Sequence, residues 1–142
     1  MLYNYFMINL SSLSYLFLVM SDWAILILRL VIGVVLLAHS IPKLKDLKGT
    51  ANWFSSVGFK PGGFWAPLVA IVEIVGGIGF ILGILVQPLA LIISIQFLVI
   101  SIWKIITKKP LIGGFELDLI ILAATLVLLS VDTRLSLLGL IL

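Results

Sequence analysis

Four stretches of this chain are too long and too apolar to belong inside a small water-soluble protein, and nothing else in the sequence limits the fold as strongly. They cover about residues 23–41, 64–86, 89–106 and 114–131. Each approaches the roughly 18–20 apolar residues that carry a helix across a bilayer. Of 142 residues 63% are hydrophobic and 11% charged, whereas a soluble domain has about a quarter of its residues charged. Lipid must therefore solvate the outer surface. In lipid a spanning segment has to satisfy its own backbone N–H and C=O groups, so these stretches are helices. The expected fold is all-α, one four-transmembrane-helix bundle over residues 20–142.

Residues 1–19 are apolar but interrupted by Asn4, Asn9 and serines, and they hold no basic residue. A secretory signal would place positive charge ahead of its apolar run, so the segment reads as a peripheral addition. Ser21 or Asp22 is positioned to cap a helix opening at Trp23, and Met20 offers an alternative start of translation. Pro42 is expected to end the first span. The connection over residues 43–63 contains Trp53, Phe54 and Phe59, aromatics suited to the headgroup level, and a short interfacial helix is expected near Gly49 to Val57. Gln87 and Pro88 mark a very short turn. Residues 107–113 form a second basic connection, and DTRLSLLGLIL closes the chain as an interfacial tail.

Lys43, Lys45, Lys48, Lys60, Lys104, Lys108 and Lys109 fall in or beside the first and third connections, while Arg134 alone stands outside the helices on the opposite face. The positive-inside bias places the loops 43–63 and 107–113 in the cytoplasm and both termini outside a multi-pass protein of the cell membrane, provided residues 1–19 do not span. The net charge of +3 therefore speaks for orientation and lipid headgroups, and no nucleic-acid partner is expected. The chain has no cysteine and one histidine, His39. Disulfides, thiolate metal sites and a bis-histidine haem held within one chain are excluded, so no metal or covalently bound cofactor is expected.

Ionisable groups inside spans cost about 2.5–3.5 kcal/mol each at the centre on insertion scales, so each needs a partner or a task. Arg29, Gly33, Ser40 and Lys43 fall near one helical stripe, which should face the bundle interior. Glu73 lies mid-span beside Gly76 and Gly77, with Gly79 and Gly83 forming a GxxxG pair for helix packing. Arg29 and Glu73 are thus the candidate intramembrane polar site, serving either as a structural ion pair or as a functional one. His39, Lys43, Lys104, Glu116 and Asp118 come from three helix ends and suggest a second polar cluster on the cytoplasmic side. Glu116 is expected to point inward and Asp118 toward the headgroups. Trp23, Trp53, Trp65 and Trp103 lie near span ends as an aromatic belt.

The order of these features resembles the DoxX family of small four-helix membrane proteins. Arg29, Gly33 and Lys43 occupy the first span, Gly58 and Pro61 follow in an aromatic loop, and EIVGGIGFILGIL and FELDLIILAATLVLL stand in the second and fourth spans. The resemblance covers about residues 22–138. Where family members commonly carry serine-leucine-aspartate near the end, this chain reads VDTRLSLLG, and it has Asp118 where asparagine is often found. The family is named for a component of a terminal quinol oxidase, and related proteins include the membrane part of a thiosulfate:quinone oxidoreductase. The resemblance implies at most the membrane subunit of an oxidoreductase, with Arg29 and Glu73 facing a quinone inside the bundle. Electrons would come from a partner subunit. Two other readings are a non-catalytic assembly subunit that docks a partner protein or a second copy, and a small transporter component.

Overall fold

In the computed structural model the backbone is described over residues 2–131 and side-chain packing over residues 20–131; the expected interfacial tail, with Arg134, lies outside the described residues. Five α-helices follow one another, α1 (Leu2–Lys45), α2 (Leu47–Ser56), α3 (Gly62–Leu82), α4 (Val86–Ile106) and α5 (Glu116–Ser130). No strand occurs among the described residues. Among the described residues four segments are long and apolar enough to cross a membrane: Met20–Lys45, Gly62–Leu82, Val86–Ile106 and Leu111–Ser130. The protein is a four-helix membrane bundle. α1 packs along α3, α4 along α5, α3 meets α4, and α1 touches α5 to close the ring. Both basic connections lie at one end of it.

The first helix neither begins at Trp23 nor stops at Pro42. No glycine or proline interrupts residues 2–32, so α1 runs on from Leu2 through Ser21 and Asp22, which are interior helix positions and not caps. Pro42 lacks only the N–H that would reach the carbonyl of Ala38, one bond in the last turns of a long helix. The helix continues past it, and the Asp46 N–H still donates to the Pro42 carbonyl at 3.2 Å. Asp46 then caps α2, its carboxylate accepting from the Gly49 N–H at 2.8 Å.

The α3–α4 turn is three residues earlier than the sequence suggests. Gly83 adopts a left-handed conformation (φ 76°), and the N–H groups of Gly83 and Ile84 both donate to the Gly79 carbonyl, at 2.8 and 2.9 Å. Gly83 therefore ends α3 as a cap, where the sequence reading had it as a packing residue. Gln87 and Pro88 lie in the first turn of α4, where a missing N–H leaves no helical bond unmade. The last span opens with a distorted turn over Leu111–Phe115, in which Gly113 has φ 72°.

Ile32 and Leu36 of α1, Phe80 of α3, Ile93 and Phe97 of α4, and Ile121 and Leu128 of α5 form the main core. A smaller cluster joins Phe54 of α2 to Ala66 and Val69 of α3. α1 and α3 cross at Gly33 and Gly77: a Cβ on Gly33 would stand 2.8 Å from the Gly77 carbonyl oxygen, and a Cβ on Gly77 would stand 2.8 Å from that of Gly33. Neighbouring glycines serve α4, with Gly76 against Ile93 and Gly79 against Leu89. The glycine-rich turn of α3 thus lets two helices approach at once, the geometry that replaces hydrophobic driving force within lipid. Gly33→Leu should lower the thermal unfolding midpoint in detergent, by the equivalent of about 1–3 kcal/mol or more. Gly63→Ala, where an added Cβ meets nothing within 4 Å, should leave the midpoint unchanged.

Candidate functional site

Side chains on a helix lean toward its N-terminus. Because α1 and α3 are antiparallel, Lys43 leans into the bundle and Glu73 leans toward the basic end, so they meet although neither is level with the other. The Lys43 Nζ donates to Glu73 Oε1 at 2.5 Å and Oε2 at 2.6 Å. From α4 the Gln96 Nε2 donates to Glu73 Oε1 at 2.9 Å. Glu73 is 1% exposed, and these bonds stabilise a carboxylate that lipid surroundings would otherwise disfavour.

The expected partnership of Arg29 with Glu73 is not formed. The Gly33/Gly77 crossing sets Arg29 level with Ile81, about eight residues or about 12 Å of rise from Glu73. Arg29 is 0% exposed, and its three guanidinium nitrogens have no hydrogen-bond partner among the described residues. The expected second cluster also divides. Lys43 belongs to Glu73, and Lys104 pairs with Asp118 Oδ2 at 2.5 Å while donating to the Gly114 carbonyl at 3.0 Å. Asp118 is buried and Glu116 exposed, the reverse of the sequence reading. Glu116 shares a helix face with Ala123, which is itself exposed, and its carboxylate accepts from the Gly113 N–H at 3.1 Å. His39 is exposed, its Nδ1 donating to the Val35 carbonyl at 2.9 Å.

Both ion pairs and His39 line one cavity of about 890 Å³ at the basic end, between α3 and α4 and beneath α2. This volume lies in the upper part of the range of small-molecule sites. Its walls are apolar, from Val69 and Val72 on α3 to Phe97 and Ile100 on α4. Trp53, Phe59, Trp65 and Trp103 also line it. Three of the four tryptophans read as a headgroup belt are thus a cavity wall, and only Trp23 lies apart from it. Trp53 meets Trp103 edge-on with centroids 6.0 Å apart, and Phe59 bridges Trp65 at 6.3 Å and Trp103 at 6.5 Å.

Gln96 escaped the sequence reading, although an amide in the middle of an apolar span is itself a signal for an inward polar contact. The floor of the cavity offers donors beyond those bonded to Glu73. Lys43 has a third N–H and Gln96 a second amide N–H, while His39, its Nδ1–H engaged, offers Nε2 as an acceptor. Such a set suits a neutral ligand with carbonyl or hydroxyl oxygens, because each ammonium is already neutralised by its own carboxylate.

Residues 24–105 match the sequence profile of the DoxX family, a region that holds every cavity residue named above except Asp118. Over 112 residues, 77% of this chain and 79% of the relative, the chain is 29% identical to CatD of Bacillus subtilis (strain 168), a protein provisionally designated an oxidoreductase. No solved structure matches the chain.

Lys43→Met would strand a buried carboxylate and should cost about 3 kcal/mol, the low end for a broken buried pair because Lys43 is partly exposed. The double variant Lys43→Met with Glu73→Gln should recover much of that loss, and additive losses in a thermal unfolding cycle would show the pair to be uncoupled. Asp118→Asn should destabilise by about 1 kcal/mol and Glu116→Gln by less than about 0.5 kcal/mol, measured the same way.

Proposed function

The chain belongs to the DoxX family, and on that premise we propose that it is the membrane subunit of an oxidoreductase and seats a quinone head group in the cavity at its basic end. The observation that carries this reading is an aromatic-walled apolar cavity whose floor is the Lys43–Glu73–Gln96 group. The designation of CatD as an oxidoreductase supports it. The residues present fit the ligand: a flat ring packs against Trp65, Trp103 and Phe97, while Lys43 and Gln96 are positioned to donate to a ring oxygen.

When bound, a quinone takes up two electrons and two protons in becoming a quinol. Lys43 and Gln96 orient the ring oxygen, and the aromatic wall excludes bulk water, which strengthens each of these hydrogen bonds. Glu73 is the carboxylate held by Lys43 and Gln96 and the group able to hold a proton beside the ring oxygen, with Lys43 as its route to the basic end. With no cysteine and one histidine in the chain, electrons reach the site from a partner subunit. The basic end faces the cytoplasm by the positive-inside bias, so the protons are drawn from that side.

Mass spectrometry of quinones that copurify with the detergent-extracted protein tests this. Wild type should carry near-stoichiometric quinone, Glu73→Gln and Lys43→Met should lose most of it while remaining folded by circular dichroism, and Glu116→Gln should retain it. Wild-type protein that keeps tightly bound lipid but holds no quinone would overturn the reading.

A further inference from the structure

Besides a mouth at the basic end, where Pro42, Asp46 and Trp53 are exposed, the cavity has an apolar opening on its side. Leu68 on α3 and Ile92, Ile95 and Val99 on α4 line it, yet they are 39% to 55% exposed. All four lie within membrane-spanning segments, so they face lipid tails and not water. The opening follows from how α3 and α4 are joined. Near their turn the helices are drawn together by Gly76 against Ile93 and Gly79 against Leu89. Toward the basic end Phe59 sits between Trp65 of α3 and Trp103 of α4 and holds them apart.

The mouth at the basic end is partly covered by aromatic side chains. Trp53 and Phe59 of the α2 region rest on Trp103, and Phe54 is buried against Ala66 and Val69. A ring entering through this aromatic cover would separate contacts worth about 0.5–1.5 kcal/mol each beyond their buried area. Access from the side displaces only fluid lipid tails. We propose that the ligand of this cavity is a membrane-dissolved amphiphile with a polar ring and a long apolar tail, that it enters sideways between α3 and α4, and that its tail stays in lipid across Leu68 and Ile95. This rests on the quinone-site reading and extends it, since it makes the tail part of what is recognised and fixes the route of access.

The test uses the full chain in lipid nanodiscs and a benzoquinone bearing a decyl tail with a terminal diazirine. After irradiation, adducts mapped by peptide mass spectrometry should fall on Leu68, Ile92, Ile95 or Val99 and disappear under excess unlabelled tailed quinone. Competable adducts on Asp46, Thr50 or Trp53 would overturn lateral access while leaving the quinone site standing. Absence of any competable adduct, together with no quenching of tryptophan fluorescence by a tail-less benzoquinone, would overturn both. As a second measure, Ile95→Phe combined with Leu68→Phe narrows the opening and should slow association of the tailed quinone by about tenfold, followed by tryptophan quenching. An unchanged rate in a folded variant would overturn the proposal.

Discussion

A carboxylate in the middle of a membrane span is not stable alone, and the way Glu73 is compensated organises the basic half of this protein. Lys43 reaches it from α1 and Gln96 from α4, so one side chain ties together three helices that share few other polar contacts. The pairing depends on the antiparallel sense of α1 and α3 and on the lean of helical side chains toward the N-terminus. It also depends on the Gly33/Gly77 crossing, which brings α1 close enough for a lysine to arrive. A bulkier residue at the crossing would separate the pair as well as the backbones.

From that anchor the cavity follows. Below Glu73 the helices are close-packed through glycines; above it, the aromatic side chains of α2 and its flanking loop fill the widening space incompletely. Each buried or half-buried ammonium in this region has its own carboxylate, Lys43 with Glu73 and Lys104 with Asp118. The cavity is therefore polar without a net demand for an ion, which suits neutral oxygen-bearing rings better than phosphates or metal ions. Farther along the core Ser94 donates to Thr125 at 2.8 Å, a polar contact that fixes α4 against α5 without opening a path between them.

Much of this was legible in the residues. The number of spans, the short helix after the first span, the shared basic end and the family resemblance all follow from hydropathy, charge and motif order. The inward direction of Glu73 was also legible, because the glycines on its face point to close packing. The identity of its partner was not. Arg29 and Lys43 lie on the same stripe of α1, and only the register between helices decides which one Glu73 meets. Glu116 and Asp118 were assigned the wrong way round because Ala123, a small residue on the face of Glu116, was read as a packing position, whereas that face is exposed and the buried stripe runs through Asp118, Ile121, Thr125 and Leu128.

By itself, then, the sequence determined that residues 20–131 hold four membrane-crossing helices, which end carries the lysines and which few polar residues need explaining. Those properties are sums over local composition, and a bilayer reads them locally. The tertiary structure decided the Lys43–Glu73–Gln96 and Lys104–Asp118 groupings, the use of three tryptophans as a cavity wall and the opening between α3 and α4. The physical reason is that a membrane bundle is apolar both inside and out, so the contrast that reveals the buried face of a soluble helix is missing here. Helix rotation and register are set by packing between segments, and no single segment contains that information.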